Sequence, residues 1–278
     1  MDSLIAKKSL GQYYLRSKNA LRQILRAASL VPGDLVLEIG PGEGALTEAL
    51  LSSGARVVAV ETDARAIVLL SARFRDEIAD GRLRLIEGDI RSEETQKTLF
   101  YLPHLGAHTY KLVANIPYYI TGYLFRLFLE QLRQPTLIIF LIQKEVADQI
   151  IARDSKEGML SLSIKAFGTP RYVATVKREA FSPPPKVDSA IIAIEDIDRK
   201  HFSVLKTEEY FRVLRAGLGS KRKMLLGNLA GSIDVPKQEL QNMFAKLGVS
   251  PSIRGEDLPV NDWLSLAGML RRQKDKLA

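Results

Sequence analysis

The chain has no cysteine among its 278 residues, which excludes disulfides, thiolate zinc sites and cysteine nucleophiles. Histidine is nearly as scarce, with three copies. His104 and His108 have the spacing of a helical metal pair, but Pro103 and Gly106 interrupt any helix there, so no metal is expected. Long apolar runs are also missing. The longest, Leu137 to Ile142, is too short to span a bilayer and reads as a strand buried on both faces. Met1 to Gly11 carries Lys7 and Lys8 but lacks the apolar core of a signal peptide, so a cytoplasmic protein without membrane contact is expected. Tryptophan occurs once, and Trp263 is read as core.

What is present is a folded composition with an uneven charge. The 46% hydrophobic content supports a packed chain over most of its length. Residues 1–198 hold 25 Lys+Arg against 24 Asp+Glu, a net of +1, whereas residues 199–278 hold 15 against 8, a net of +7. Within the first part, Met1 to Arg26 has six bases (Lys7, Lys8, Arg16, Lys18, Arg22 and Arg26) against the single acid Asp2. Two basic segments thus flank a near-neutral middle. A polyanion suits that distribution because Lys and Arg release condensed counterions when they neutralise phosphates, although a solvated surface has the same composition.

From Leu35 to Ile142 short apolar runs alternate with amphipathic stretches, as in an α/β doubly wound parallel sheet of the Rossmann-like kind. The runs are Leu35 to Ile39, Val57 to Val60, Leu83 to Ile86, Leu112 to Ala114 and Leu137 to Ile142. Helical periodicity fills the intervals Ala45 to Leu51, Ala64 to Ala79, Gly122 to Leu132 and Lys144 to Arg153. A further amphipathic helix carries Leu21, Ile24, Leu25 and Ala28 on one face, with Ser17 or Asn19 as its cap. Tyr172 to Val176 and Val187 to Ile194 are expected to finish the sheet. After Asp196 the pattern becomes helical, in Thr207 to Ala216, Ser220 to Ala230, Lys237 to Leu247 and Asn261 to Gln273. The expected domains are therefore 1–198, carrying the sheet, and 199–278, small, all-helical and basic.

Val36 to Ile39 leads into Gly40-Pro41-Gly42-Glu43-Gly44 and then directly into a helix, the order that nucleotide sites use so that a ligand can approach the backbone closely. Glu61 follows Gly40 by 21 residues, at the end of the second strand, where a carboxylate can accept from ribose hydroxyls. That pair alone leaves S-adenosylmethionine and NAD equally open. Asp89 at the end of the third strand and Asn115 at the end of the fourth favour the former, Asp89 as an acceptor for the cofactor's adenine amine. Glu38 is read as a supporting residue that either hydrogen-bonds the turn or points toward the cofactor's methionine moiety.

Asn115-Ile116-Pro117-Tyr118 points to methyl transfer onto an exocyclic amine. The N6 lone pair of adenine is delocalised into its ring and is a poor nucleophile until hydrogen-bond acceptors draw the nitrogen toward tetrahedral geometry. Asn115 Oδ1 is one acceptor and the carbonyl of Ile116, held extended by Pro117, is a second. Tyr118 offers a face for the base, and such stacking contributes about 1–3 kcal/mol. Asn-x-Pro after a strand is also a common turn.

With Gly11-Gln12-Tyr13-Tyr14-Leu15, the Glu38 to Gly44 turn, Glu61, Gly88-Asp89, Asn115 to Tyr118 and Phe181-Ser182-Pro183-Pro184-Pro185-Lys186-Val187-Asp188-Ser189, nearly the whole chain resembles the small-subunit (16S) ribosomal RNA adenine N6,N6-dimethyltransferases, a family similar to the 23S rRNA adenine methylases of macrolide resistance. The resemblance implies an S-adenosyl-L-methionine-dependent enzyme that dimethylates two adjacent adenines in a hairpin near the 3′ end of small-subunit rRNA, within an immature 30S particle. It implies that Phe181 and Tyr118 sandwich the extruded base, that Tyr13, Leu15, Gly40, Gly42, Glu61, Asp89 and Asn115 hold the cofactor, and that RNA is met by the helical domain, where Lys221, Arg222 and Lys223 begin a helix. A monomer is expected. Tyr13 departs from the Asn or His usual in the family. A large-subunit enzyme and a non-catalytic ribosome-assembly factor are the alternatives. An NAD oxidoreductase is disfavoured because nothing supplies a hydride-transfer site.

Overall fold

The computed structural model describes residues 4–7, 11–102, 109–131 and 133–277, with side chains up to 273; Lys8, His104 and His108 lie outside the described residues. The chain forms two compact units, one of 1–147 with 170–197 and the other of 148–169 with 198–278.

The first unit opens with the two-residue strand β1 (Tyr14–Leu15) and helix α1 (Lys18–Ala28), capped by Ser17, whose hydroxyl accepts from the Ala20 amide at 3.2 Å. Then come β2 (Leu35–Ile39), α2 (Ala45–Ser52), β3 (Arg56–Glu61), α3 (Ala64–Arg73), α4 (Arg75–Ala79), β4 (Leu83–Glu87), α5 (Glu93–Phe100), β5 (Tyr110–Asn115), α6 (Thr121–Glu130) and β6 (Leu137–Gln143). Helix α7 (Lys144–Ile151) crosses the unit boundary, and α8 (Met159–Lys165) belongs to the second unit. Strands β7 (Thr169–Val176), β8 (Phe181–Ser182) and β9 (Ser189–Glu195) complete the β-structure.

Seven strands form one sheet in the order β4-β3-β2-β5-β6-β9-β7. The five apolar runs pair in parallel, and β9 joins β6 antiparallel. All five residues of β2 are buried, as its near-continuous apolar sequence requires of a strand covered on both faces. The strand order reverses between β2 and β5. Their pairing ends at Leu37 with Leu112, whereas β5 remains paired with β6 as far as Asn115 with Leu141. The carboxyl ends of β2 and β5 therefore diverge and open a crevice at the switch point.

Periodicity over Ala64 to Ala79 predicts one helix, but the backbone breaks at Phe74 (φ −110°, ψ 34°), whose ring is 4% exposed in the core. Burial of that ring wins over helix continuation. Helix α5 escapes a search for apolar periodicity because only Thr95 and Leu99 are buried in it; Ser92 caps it.

The second unit contains α8, α9 (Thr207–Gly217), α10 (Leu225–Ala230), α11 (Lys237–Leu247) and α12 (Val260–Leu277). The boundary expected at residue 198 misses residues 148–169. They belong to the helical unit because the buried Tyr210 hydroxyl donates to the carbonyl of Leu162 at 3.1 Å and Phe167 stacks on Phe202 at 4.5 Å between ring centroids. Trp263 is fully buried, as expected, and its indole N–H donates to the carbonyl of Gly255 at 3.2 Å. Helix α10 begins at Leu225, not at Ser220, because the buried Asn228 amide donates to the carbonyls of Gly217 and Ser220 at 2.7 and 2.9 Å and holds the intervening chain as a turn. Lys221, Arg222 and Lys223 are thus exposed turn residues ahead of the helix.

Two predictions follow from packing and burial. A Cβ at Gly217 would lie 2.3 Å from Trp263 Cη2 and 2.5 Å from Leu225 Cδ1, whereas at Gly227 it would meet nothing within 4 Å. Gly217→Ala should destabilise the protein by roughly 1–3 kcal/mol through overpacking, and Gly227→Ala should be neutral or stabilising, as measured by urea unfolding. Glu38 on β2 is buried, and burial pushes its carboxyl up to about 8 from an ordinary 4.5, with a hydrogen bond from Thr47 at 2.7 Å opposing part of that rise. A raised folded-state value means the folded protein holds a proton that the unfolded chain has lost. The associated stability is complete below the unfolded value of 4.5 and is lost as pH rises through about 8. Between pH 5 and 9 the wild type should lose on the order of a few kcal/mol relative to Glu38→Gln; parallel unfolding curves for the two would contradict this.

Candidate active site

Gly40, Gly42 and Gly44 take φ values of +70°, +56° and +84° as the chain turns from β2 into α2. At Gly42 the requirement is also steric, since a Cβ there would lie 3.0 Å from Tyr14 Cε1. Glu61, at the end of β3, ties this turn to the neighbouring strand. Its Oε2 accepts from the Gly42 amide at 3.0 Å, and its Oε1 accepts from Thr62 and Asp63 at 2.8 and 2.9 Å. Burial raises the Glu61 carboxyl against the pull of those three amides. Oε2 keeps a further lone pair for a ligand hydroxyl, while Oε1 is filled by its two amides.

The amino-terminal segment crosses beside this turn and is tied down over a long sequence distance. Strand β1 pairs antiparallel with β8, Leu15 opposite Phe181. Gln12 Nε2 donates to Asp63 Oδ2 at 3.0 Å, the Leu4 amide donates to Glu43 Oε1 at 2.7 Å, and Arg16 pairs with Glu43 at 2.6 Å. Lys7 lies 3.7 Å from Asp63. Part of the basic amino-terminal segment is therefore engaged with the protein itself. Lys18, Arg22 and Arg26 are exposed one turn apart on α1 and have no ion pair among the described residues.

Asn115 ends β5 on the other side of the crevice. Its Nδ2 donates to the backbone carbonyl of Tyr13 at 3.0 Å. A carbonyl can only accept, so this bond assigns the amide: Nδ2 faces Tyr13 and Oδ1 remains the acceptor. Ile116 is buried, and with Pro117 and Tyr118 it lines the cleft. The Tyr118 hydroxyl shares a 2.7 Å hydrogen bond with Ser189, and its ring stacks on that of Tyr13, centroids 5.7 Å apart and planes 26° from parallel. Burial raises the Tyr118 phenol, so it stays protonated.

The cleft brings together Tyr13, Leu15, Gly40, Gly42, Glu61, Asp89, Asn115, Ile116, Pro117 and Tyr118. Both oxygens of Asp89 accept from Arg91, at 2.6 to 3.1 Å, and that guanidinium holds the carboxyl below its ordinary range. Phe181 is absent from the lining. Its ring is 4% exposed and packs in the core cluster with Leu15 and Ile191, so a base would have to uncover it first. Spacing along the chain does not reveal Gln12, Asp63 or Ser189, whose partners lie 51 and 71 residues away. Tyr119, beside Tyr118, also lines the cleft.

The donor set fits a cationic nucleoside cofactor. The glycine turn admits close approach, Glu61 can take a ribose hydroxyl through Oε2, and Glu61 and Asp89 bring carboxylates to the cleft of a protein of net charge +8, while burial keeps Glu38 protonated near neutrality. No group of three or more metal-ligating side chains occurs among the described residues, and no helix among them is long and apolar enough to cross a membrane.

Comparison with known proteins identifies the family. The model of the family described as ribosomal RNA adenine dimethylase matches residues 4–272. Ribosomal RNA small subunit methyltransferase A of Dehalococcoides mccartyi is 38% identical over 265 residues, covering 95% of this chain and 88% of that protein. The protein of the same name from Thermosynechococcus vestitus is 39% identical over 277 residues, covering 96% and 97%. Among solved structures, a dimethyladenosine transferase from Plasmodium falciparum superposes with a TM-score of 0.77 at 25% identity, covering 94% of this chain and 98% of that one. The 23S rRNA methyltransferase ErmE has a TM-score of 0.69 at 23% identity over 93% of this chain and 99% of its own, a likeness of fold. Matched by the family model over residues 4–272 and 38% identical to a relative over 95% of its length, the chain belongs to the ribosomal RNA adenine dimethylase family.

Proposed function

We propose that this ribosomal RNA adenine dimethyltransferase uses S-adenosylmethionine to dimethylate N6 of two adjacent adenines in a hairpin near the 3′ end of small-subunit rRNA, within an immature small subunit. The observation that carries the reading is the orientation of Asn115, whose amide nitrogen is occupied by Tyr13 at 3.0 Å so that its oxygen is left to accept from the target amine. The small-subunit assignment draws on the names of the relatives, and phosphate contact on the exposed Lys221, Arg222 and Lys223 together with the exposed bases of α1.

Bound S-adenosylmethionine supplies the electrophilic methyl group. Gly40, Gly42, Glu61 and Asp89 hold the cofactor, with Tyr13 and Leu15 walling the cleft. Asn115 Oδ1 and the carbonyl of Ile116 accept the two N6 hydrogens and draw the amine out of conjugation with the purine. Pro117 biases Ile116 toward the extended form that presents its carbonyl. Tyr118, anchored through Ser189, gives the base a fixed face. No general base is required, because N6 becomes acidic as it acquires positive charge and releases its proton to water. Placement and charge stabilisation then account for most of the rate.

Asn115→Ala should lower turnover by about 10²–10³, the cost typical of losing one preorganised polar contact to a transition state. The affinity for S-adenosylhomocysteine, read by calorimetry, should stay within about twofold of wild type, a difference well under 1 kcal/mol. Equal losses in turnover and affinity would instead assign Asn115 to the cofactor.

A further inference from the structure

Three exposed tyrosines occur among the described residues, and two of them, Tyr119 and Tyr123, stand four residues apart where the one-turn 3-10 helix Tyr118–Ile120 runs into α6. Tyr119 is 57% exposed, yet it lines the mouth of the cleft. Arg91 covers one face of the ring. The guanidinium carbon of Arg91 lies 5.6 Å from its centroid, and the bare Cα of Gly11 lets the ring come close, since a Cβ there would be 3.2 Å from Tyr119 Cε1. Arg91 is itself fixed by its two-pronged contact with Asp89, and it lies within electrostatic reach of both tyrosine hydroxyls. Tyr123 is also held, its hydroxyl accepting from Gln96 Nε2 at 2.7 Å while the same nitrogen donates to the carbonyl of Ile90 at 2.9 Å. Arg126, one turn further along α6, leaves 76% of its side chain exposed.

These side chains form a short strip of rings and guanidinium groups that leads away from the cleft. All four are exposed. Drawing an adenine into the cleft unstacks it from its neighbours, whose faces are then open to water. A preformed ring at the entrance can restack such a neighbour at about 1–3 kcal/mol per base, and an arginine over the ring adds a cation to meet the backbone. We infer that Arg91, Tyr119 and Tyr123 form a stacking platform for the unpaired nucleotides that flank the target adenine, so that the sheet unit carries its own single-stranded RNA site apart from the basic carboxyl-terminal segment. This inference rests on the RNA substrate proposed above.

The test compares Tyr119→Ala, Tyr119→Phe and the double variant Tyr119→Ala/Tyr123→Ala in methyl transfer to undermethylated small subunits, alongside calorimetric binding of S-adenosylhomocysteine. The KM for particles should rise about tenfold in Tyr119→Ala, equivalent to about 1.4 kcal/mol, and further in the double variant. The kcat and the affinity for S-adenosylhomocysteine should remain near wild type. Tyr119→Phe should behave as wild type, because stacking needs the ring and not the hydroxyl. An unchanged KM in the double variant overturns the platform, as does a Phe variant as defective as the Ala variant, or a parallel loss of S-adenosylhomocysteine binding, which would make Tyr119 a cover for the cofactor. A wild-type protein that methylates no RNA overturns the substrate reading, and the platform with it.

Discussion

The hydrogen bond from Asn115 Nδ2 to the carbonyl of Tyr13 is the constraint on which the site depends. It joins residues 102 positions apart and decides which end of one amide faces the substrate. A terminal amide can turn over with little steric cost, so a side chain meant to accept from an amine needs its nitrogen occupied elsewhere. The occupant is a backbone carbonyl, which can do nothing but accept. The position of that carbonyl depends in turn on the pairing of β1 with β8, on Gln12 bound to Asp63, and on Glu43 binding both Leu4 and Arg16.

Charge is divided between two tasks. The protein is basic overall, yet its cleft collects carboxylates whose ionisation is set by local partners. Burial keeps Glu38 protonated near neutrality and raises Glu61, whereas Asp89 in the cleft is lowered by Arg91 and Asp63, outside its lining, by Arg65. An acidic pocket favours a cofactor carrying a sulfonium, while bases outside it favour phosphate. Some of the amino-terminal bases serve neither purpose directly. Lys7 and Arg16 hold the strand that orients Asn115 by pairing with Asp63 and Glu43.

The parallel strands and their carboxyl-end residues were legible in the sequence because fully buried strands must be apolar and because glycine and proline mark the turns between them. Gly40, Glu61, Asp89 and Asn115 meet in the cleft for that reason. What stayed illegible depends on packing between distant residues. Phe74 breaks a periodic helix by turning into the core, Asn228 holds Lys221 to Lys223 in a turn, and α8 joins the helical unit through Tyr210. Phe181 shows the limit of a motif: its aromatic type fits a base clamp, but its ring lies in the core, and the ring that faces Tyr118 belongs to Tyr13. Periodicity and spacing carry no information about which of two aromatics is exposed.

The most direct test of the central claim is transfer of labelled methyl from S-adenosylmethionine to undermethylated small ribosomal subunits, with large subunits in parallel and the modified nucleoside identified by chromatography. The account predicts N6,N6-dimethyladenosine in the small subunit alone. Label at any atom other than adenine N6, or label confined to the large subunit, would contradict it.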